Sequence, residues 1–493
     1  MFGHPKGLFI LFMTEMWERF SFYTMRAILV LYLTGVIFVN YSADPQIIRN
    51  HALEIYGLYL LLVYISGLAG GYFADKVLGS RKAIFVGGLV MGTGLFVMAS
   101  PDLIYYGLGL IITGNGFFKP NISTIVSGLY SQDDKRRDGA FTIFYMGINV
   151  GAFIAIFSAG YAEGMAKTNP WGWNIGFVIA GIGMIVSLII FYMGQKHLGS
   201  AGFPPSRQVT EKTKIEGRDW SDIALWAVGM IAVVAGVVFA WGSFLGAIWD
   251  MVPGLVKLAG GIGLIVVALG GFVVTNRDNT REEWERIISI IVLSVFVIFF
   301  WAGFEQAGGT MNLFAYEQTD RMIMGWEMPA TWFQGINPLF IVLLAPLFSM
   351  LWGRLDRSKF PISTPAKMGL GMIVLGLGFV VMYFGQGVAD SFGKAGIGWL
   401  VAVYFLHTMG ELCLSPIGLS MVTKLSPVRR VSLMMGVWFA CTAIADYLSG
   451  RLEAIANHFA INLWAILIAS SIGAGVVLIM LTPMLKKWMH GKA

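Results

Sequence analysis

Charged residues are scarce in this chain of 493 residues, and their scarcity excludes most classes of soluble protein. Asp, Glu, Lys and Arg make up 13% of the sequence, against about 25% in an average soluble domain, while hydrophobic residues reach 57%. A soluble domain of this length cannot keep so much apolar surface out of water. Intrinsic disorder is excluded as well, because it requires low hydrophobicity and high net charge.

Cysteine and the motifs of cofactor sites are also scarce. The two cysteines, Cys413 and Cys441, both lie in apolar runs and indicate no disulfide framework. The sequence has no Walker-type glycine loop and no His, Cys and carboxylate set with metal-ligand spacing. The formal net charge of +6 does not indicate nucleic-acid binding, because Lys and Arg fall in short loops between apolar runs. We therefore expect no nucleotide, no metal and no nucleic-acid partner.

Apolar runs, in contrast, recur along the whole chain, and many have the length of about 20 residues that crosses a bilayer as a helix. The sequence therefore predicts an all-α polytopic membrane protein with about fourteen spans, in contact with the lipid bilayer. We place the spans at 7–38, 52–73, 83–99, 103–130, 140–161, 174–194, 220–242, 253–275, 287–315, 333–352, 366–386, 397–423, 432–453 and 462–482.

The distribution of Lys and Arg predicts how these spans are oriented. One set of loops, with the adjoining span ends, carries 24 of these residues, and the opposite set carries only Arg49, Lys167, Arg321 and Lys394. Loops rich in Lys and Arg stay in the cytoplasm. Both termini are therefore predicted to be cytoplasmic.

The longest polar stretch, residues 195–219 with Pro204 and Pro205, separates six spans from eight. The first two of the eight have almost no ionisable groups and suit a lipid-facing hairpin. Two six-helix halves are typical of secondary transporters that work by alternating access. We predict an N-terminal six-helix bundle, a cytoplasmic linker with a two-helix transmembrane hairpin, and a C-terminal six-helix bundle, at 1–194, 195–286 and 287–493.

Ionisable residues inside the spans are functional candidates, because a charge at the bilayer centre costs about 2.5–3.5 kcal/mol. In the first span, Glu15, Glu18, Arg19 and Arg26 project from one stripe about 100° wide on a helix. Such a stripe cannot face lipid. Other spans also carry polar residues: Lys119, Asn149, Glu305, Asn337 and the stacked series His407, Glu411 and Ser415. Lys119 directly precedes Pro120, and Glu305 lies one helical turn after Trp301.

The first half thus contributes cations and the second half contributes Glu305 and Glu411, an arrangement that suits a zwitterion with a carboxylate and an ammonium group. His407 fits a proton relay and a histidine that only packs between helices equally well. Asp446 and Arg451 are a candidate pair for an outer gate.

Three motifs carry a resemblance to a known family. Residues Glu15 to Phe20 fit an ExxERF motif, Phe118 to Asn121 fit a fourth-helix signature, and Gly71 to Lys82 look like the loop between helices two and three of a large superfamily. Over nearly its whole length the chain resembles the bacterial members of the proton-dependent oligopeptide transporter family of the major facilitator superfamily. This resemblance implies the major facilitator fold, two extra helices between the halves and a bacterial inner membrane location.

The same resemblance implies proton-coupled symport of di- and tripeptides by alternating access, with the proton as co-substrate, no other cofactor and no enzymatic activity. It assigns the peptide carboxylate to Arg19, Lys119 and Asn149, and the peptide amino terminus to Glu411 and Asn337. The implied pocket also includes Tyr23, Tyr64, Trp301, Ser415 and Trp438. Proton coupling and gating fall to Glu15, Glu18, Arg26, Lys119 and Glu305: Arg26 would pair with Glu305, and Glu15 and Glu18 would pair with Lys119 or Arg19.

Two departures from the family pattern affect these expectations. The chain has Phe22 before Tyr23, where the family usually has two tyrosines, and Gly57 where animal members have a histidine. Proton coupling must therefore rest on carboxylates. The alternatives are a related transporter of an anion or a drug, a membrane enzyme acting on a lipid-linked substrate, and a channel. Glu411 argues against an anion, and the sequence leaves the oligomeric state open.

Overall fold

The computed structural model describes residues 4–74, 78–130, 134, 136–169, 171–203, 279–357, 362–427 and 431–491. The predicted hairpin spans 220–242 and 253–275, with most of the segment 195–286, lie outside these residues.

Long α-helices make up the described part of the first half. They are α1 (Lys6–Tyr32), which continues into a π-helical turn at Leu33–Ile37, α2 (Pro45–Phe73), α3 (Ser80–Met98), α4 (Ile104–Gly128), α5 (Arg137–Ala166) and α6 (Gly172–Gly194). Short 3₁₀ turns at Pro101–Leu103 and Gln195–His197 precede α4 and follow α6.

The second half repeats this pattern with one interruption. Its helices are α7 (Arg281–Phe304), the short α8 (Thr310–Glu317), α9 (Ile336–Asp356), α10 (Thr364–Phe392), α11 (Ile397–Leu425), α12 (Val431–His458) and α13 (Leu463–Trp488). A capping box between Thr280 and Glu283 starts α7 by satisfying free backbone N–H groups of its first turn.

Each predicted span within the described residues overlaps one of these helices, with one correction. The span predicted at 287–315 is not one helix, because α7 ends at Phe304 and a 3₁₀ turn at Glu305–Ala307 leads through Gly308 and Gly309 into α8. Two successive glycines, which have low helix propensity, mark the break. Of the helical segments in the described ranges, nine are long and apolar enough to cross a membrane.

Two-residue strands lie between α8 and α11. The strands β1 (Thr319–Asp320) and β4 (Ala395–Gly396) pair in parallel, and β2 (Met322–Ile323) and β3 (Trp326–Glu327) form an antiparallel hairpin. A 3₁₀ helix at Ala330–Gly335 then leads into α9. The segment 318–335 is thus an ordered connection between helices.

Each half has its own apolar core. One cluster is built almost entirely from α1–α6 and the other from α7–α13. Glycines bring helices within each half close together: a Cβ at Gly114 of α4 would lie 2.4 Å from the Gly87 carbonyl oxygen of α3, and one at Gly371 of α10 would lie 2.6 Å from that of Gly410. Small residues permit this close packing of helices in membranes.

The halves contact each other at the end of the bundle where α1 ends and α2 begins, which we call the outer end. There α2 packs along α12, α8 contacts α1, and the 3₁₀ helix at Ala330–Gly335 contacts α5. A Cβ at Gly57 of α2 would lie 3.0 Å from the Cα of Gly450 of α12, so the two backbones meet without an intervening side chain.

Candidate functional site

The polar stripe of α1 is buried, as the helical projection predicts. Arg19 donates to both carboxylate oxygens of Glu18, at 2.5 and 2.6 Å, and its Nε lies 3.3 Å from Oε1 of Glu15. Glu18 is fully buried, and Glu15 is 2% exposed. Within the described residues Oε2 of Glu15 has no hydrogen-bond partner. One guanidinium therefore holds two carboxylates inside the bundle.

Lys119 of α4 lies beside this cluster without joining it. Its Nζ is 4.5 Å from the centroid of the Tyr64 ring, within cation–π range. It interacts electrostatically with Arg19, Glu18 and Glu15, but no carboxylate of the described residues lies within ion-pair distance of it. Of the two partners that the resemblance offered to the glutamates, the structure uses Arg19 and leaves the Lys119 ammonium on an aromatic face.

Glu411 of α11 belongs to the second half and interacts electrostatically with Tyr23 of α1, as Arg19 does. It accepts a 2.8 Å hydrogen bond from Nδ2 of Asn337 on α9, and Nδ2 also contacts Oγ1 of Thr408 at 3.0 Å. The hydroxyl of Tyr145 on α5 lies 3.4 Å from Oε1 of Glu411, and Asn149 donates to the Tyr145 carbonyl one turn away. Glu411 thus has neutral donors from both halves.

Tyr145 is absent from the residues predicted from the sequence. It lies four residues before Asn149 and therefore on the same face of α5, so that the i, i+4 spacing is the signal that finds it. Asn149 itself is 5% exposed.

Arg26 of α1 and Glu305 cross between the halves. Nη2 of Arg26 lies 2.5 Å from Oε2 of Glu305, and Nε donates to the hydroxyl of Tyr56 on α2 at 2.9 Å. Both charged side chains are about one-tenth exposed. The guanidinium lies 5.8 Å from the centroid of the Tyr23 ring, which packs edge-on against Phe22. Tyr56, which directly precedes Gly57, was likewise not predicted from the sequence.

The remaining predicted pocket residues lie on α7, α11 and α12. Trp301 packs edge-on against Phe304 at 5.3 Å, one turn before the end of α7. Trp438 is buried on α12 against Gly418 of α11. The Ser415 side chain lies outside the described residues, although its backbone is part of α11.

His407 packs between helices. Its ring lies edge-on to Phe379, with centroids 4.6 Å apart, and against the backbone of Gly378. This contact supports the packing interpretation over the relay, although Nε2 has no partner within the described residues.

Asp446 and Arg451, the two candidates for an outer gate, do not pair with each other. Nη1 of Arg451 instead lies 2.5 Å from Oε1 of Glu54 on α2, and Asp446 has no ion pair within the described part of the chain. Five residues on an α-helix correspond to about 140° of rotation, so the two side chains point to different sides of α12.

Further ion pairs, none of them predicted from the sequence, join the halves at the outer end. Glu163 of α5 is 1% exposed and accepts hydrogen bonds from Nη1 of Arg321 at 3.1 Å and from the backbone N–H groups of Ala330 and Thr331 at 2.8 and 3.0 Å. Together with Arg26–Glu305 and Arg451–Glu54, the pairs that cross between the halves in the described residues are Arg49–Glu317, Arg49–Glu453, Lys167–Glu327 and Arg321–Glu163.

Glu327, in the hairpin outside the membrane-spanning helices, accepts from Nζ of Lys167 at 2.5 Å and lies 2.8 Å from Nη2 of Arg321. The hydrogen bond from Lys167 holds the pKa of Glu327 below its ordinary value. These contacts attach the segment 318–335 of the second half to the end of α5.

Comparison with known proteins assigns the chain to a protein family. The family model described as POT family matches residues 81–216 and 224–469. The chain belongs to the POT family. It is 37% identical to the peptide transporter YePEPT of Yersinia enterocolitica over 91% of this chain and 87% of that protein, and 34% identical to a di-/tripeptide transporter of Lactococcus lactis subsp. cremoris over 98% and 97%.

Solved structures of POT transporters share the fold. A crystal structure of a peptide transporter POT in complex with sulfate is 35% identical and matches with a TM-score of 0.81 over 100% of this chain and 97% of that chain. A POT family transporter in complex with 5-aminolevulinic acid is 29% identical and matches with a TM-score of 0.80 over 98% of both chains. The predicted all-α membrane protein with the major facilitator fold is thereby confirmed, and POT family members are transporters rather than enzymes.

Proposed function

We propose that the chain imports di- and tripeptides together with protons across the bacterial inner membrane by alternating access. Relatives named as peptide and di-/tripeptide transporters support the substrate class. The observation that carries the proposal is the opposition of charge between the halves. Arg19 and Lys119 come from α1 and α4, and Glu411 with Asn337 comes from α11 and α9.

In this proposal the peptide lies across the centre of the bundle. Its carboxylate binds Arg19 and Lys119 with help from Asn149, since charge-assisted hydrogen bonds are about twice as strong as neutral ones. Its amino terminus binds Glu411, which already accepts from Asn337 and can exchange the long contact with the Tyr145 hydroxyl for an ammonium donor. Tyr23, Tyr64, Trp301 and Trp438 line the space for the side chains, and the family resemblance assigns Ser415 to the same pocket.

Protons couple through the buried carboxylates. A proton on Glu305 removes the charge that Arg26 contacts and frees the outer end to open. Glu15 and Glu18 share Arg19, so that a peptide carboxylate arriving at Arg19 competes with them and favours their protonated forms. One proton moving down about 100 mV and one pH unit supplies about 2.3 and 1.4 kcal/mol, enough to concentrate a neutral peptide several hundredfold.

The state described here fits the inward-facing half of such a cycle. Every inter-half ion pair of the described residues lies towards the outer end, which supports a closed side of the bundle there. With both termini in the cytoplasm, as the positive-inside rule predicts, the opposite end faces the cytoplasm. The halves at 1–194 and 287–493 would rock about the central site, with 195–286 as a peripheral linker and hairpin.

Uptake of labelled dialanine into liposomes containing the purified protein tests the proposal. Under an inward proton gradient we expect accumulation above equilibrium, and a protonophore should abolish it. Exchange of dialanine without accumulation would retain the binding site but contradict the coupling. If neither occurs, a peptide is not the substrate, and an anion or a drug becomes the alternative to assay.

A further inference from the structure

Asp446 of α12 is a buried acid that the proposed mechanism does not use. Its side chain belongs to a residue only 1% exposed, and Oδ2 has no hydrogen-bond partner within the described residues. Its backbone carbonyl oxygen would lie 3.1 Å from a Cβ at Gly57. Asp446 therefore lies in the contact between α2 and α12 that closes the outer end.

The other carboxylates at this depth have donors. Glu15 and Glu18 contact Arg19, Glu305 contacts Arg26, and Glu411 accepts from an amide. Asp446 makes no ion pair among the described residues and is the exception.

Charged and titratable groups on α1, α2, α4 and the turn after α7 act on Asp446. They interact with it electrostatically and are Arg26 of α1, Tyr56 and Tyr64 of α2, Lys119 of α4 and Glu305 after α7. Arg26 is already neutralised by Glu305, and the negative charge of Glu305 disfavours a second carboxylate nearby. The Lys119 ammonium favours the ionised form of Asp446, but it lies beyond ion-pair distance.

While the outer end is closed, these surroundings favour the protonated, neutral form of Asp446. Burying an ionised carboxylate without donors costs several kcal/mol, whereas a neutral carboxyl is buried far more cheaply. When α2 and α12 separate, water reaches the side chain and supplies the missing donors. The closed state therefore binds one proton more at this position than the open state does.

We propose that Asp446 is a pH-sensitive lock of the outer end: the protonated side chain stabilises the contact between α2 and α12, and its ionisation favours opening. The sign follows from linkage, since the state that binds more protons gains population as pH falls. Acid on the outer side therefore favours the closed outer end through Asp446. Glu305 acts in the opposite direction, because its charged form holds the end closed. The inference rests on the alternating access of the proposed function.

The test measures opening directly. Leu53→Cys on α2, in a protein whose two native cysteines are replaced by serine, places a thiol at a position 1% exposed opposite Gly309 of the second half. A membrane-impermeant maleimide added outside labels it only when the halves separate. The protein with Leu53→Cys and no other change at the contact is the parent. At each external pH, the labelling rate of the parent is divided by the labelling rate of the parent carrying Asp446→Asn. The intrinsic effect of pH on the reagent cancels in this ratio.

We expect this ratio to rise with external pH by up to about tenfold per unit, the limit for one linked proton. Asp390→Asn, the same chemical change at an exposed position of α10, should leave the ratio flat. Asp446→Ser replaces the asparagine variant if that one does not fold. A flat ratio for Asp446→Asn or Asp446→Ser overturns the inference. A parent whose labelling does not respond to dialanine contradicts alternating access instead, so the two failures are distinguishable.

Discussion

Replacing Gly450 with alanine adds one methyl group at the point where α12 meets α2. That Cβ would lie 2.2 Å from the carbonyl oxygen of Leu53 and 2.9 Å from the Cα of Gly57. Both atoms belong to the main chain and cannot turn aside as a flexible side chain does. Since ordinary contacts begin near 3.4 Å, the two helices must move apart by about 1 Å.

This strain acts only when the outer end is closed. Overpacking by a methyl group costs about 1–3 kcal/mol, which corresponds to a shift of roughly 5–150-fold in the ratio of open to closed molecules. The gain in helix propensity from glycine to alanine, about 1 kcal/mol, stabilises α12 in both states and cancels. Gly450→Ala should therefore populate the open outer end and slow net uptake.

Labelling of Leu53→Cys by an impermeant maleimide measures that shift. We expect Gly450→Ala to raise the labelling rate by at least fivefold, and Gly473→Ala, whose Cβ on α13 would meet nothing within 4 Å, to leave it unchanged. An equal rate in Gly450→Ala and its parent would refute the argument that this contact closes the outer end.

Four further substitutions test the ionic contacts. Glu305→Gln and Glu18→Gln should each abolish gradient-driven dialanine uptake and leave exchange at least partly intact, and normal concentrative uptake by both would contradict their role in coupling. Glu411→Gln removes a charge from the proposed ammonium site and should raise the KM for dialanine exchange roughly 10–150-fold, the equivalent of about 1.5–3 kcal/mol; an unchanged KM would place the amino terminus elsewhere. Glu163→Gln removes the buried carboxylate from Arg321 and leaves it only the half-exposed Glu327 as an ion-pair partner among the described residues, at a cost of up to about 3–5 kcal/mol to the closed state. It should increase Leu53→Cys labelling more than Lys167→Gln, whose exposed pair contributes about 0–1 kcal/mol; equal labelling of the two would exclude Glu163 from closure.

The sequence predicted the helices well because membrane spans depend on local composition. The period of 3.6 residues likewise placed four charges of α1 on one stripe, which the structure buries. Whether Arg19 or Lys119 holds Glu15 and Glu18 could not be read from periodicity, because the choice depends on how α1 and α4 are rotated against each other.

Contacts between the halves could not be predicted from the sequence, because they too depend on how helices are placed against each other. Glu163 lay just past the predicted span 140–161, and only the extension of α5 to Ala166 places its carboxylate against the 3₁₀ helix at Ala330–Gly335. The sequence comparison with the family singled out Gly57 because animal members have a histidine there. Its contact partner Gly450 is almost 400 residues away in the chain. A close backbone approach of this kind leaves no signal in a single sequence.

The way in which the outer end is closed suits a gate that protons control. A purely apolar contact would stabilise closure by about 25 cal/mol per Å² of buried apolar surface. This stabilisation does not depend on pH, so a proton gradient could not open such a contact. Arg26 and Glu305 instead form a buried pair, and among the described residues a proton on Glu305 leaves the guanidinium with the Tyr56 hydroxyl as its hydrogen-bond partner. Breaking a buried pair by removing one charge costs about 3–5 kcal/mol, comparable to the free energy that one proton delivers. In the proposed mechanism the energy of the gate therefore matches that of one proton, and the close contact between the glycines of α2 and α12 would keep the steric part of closure small.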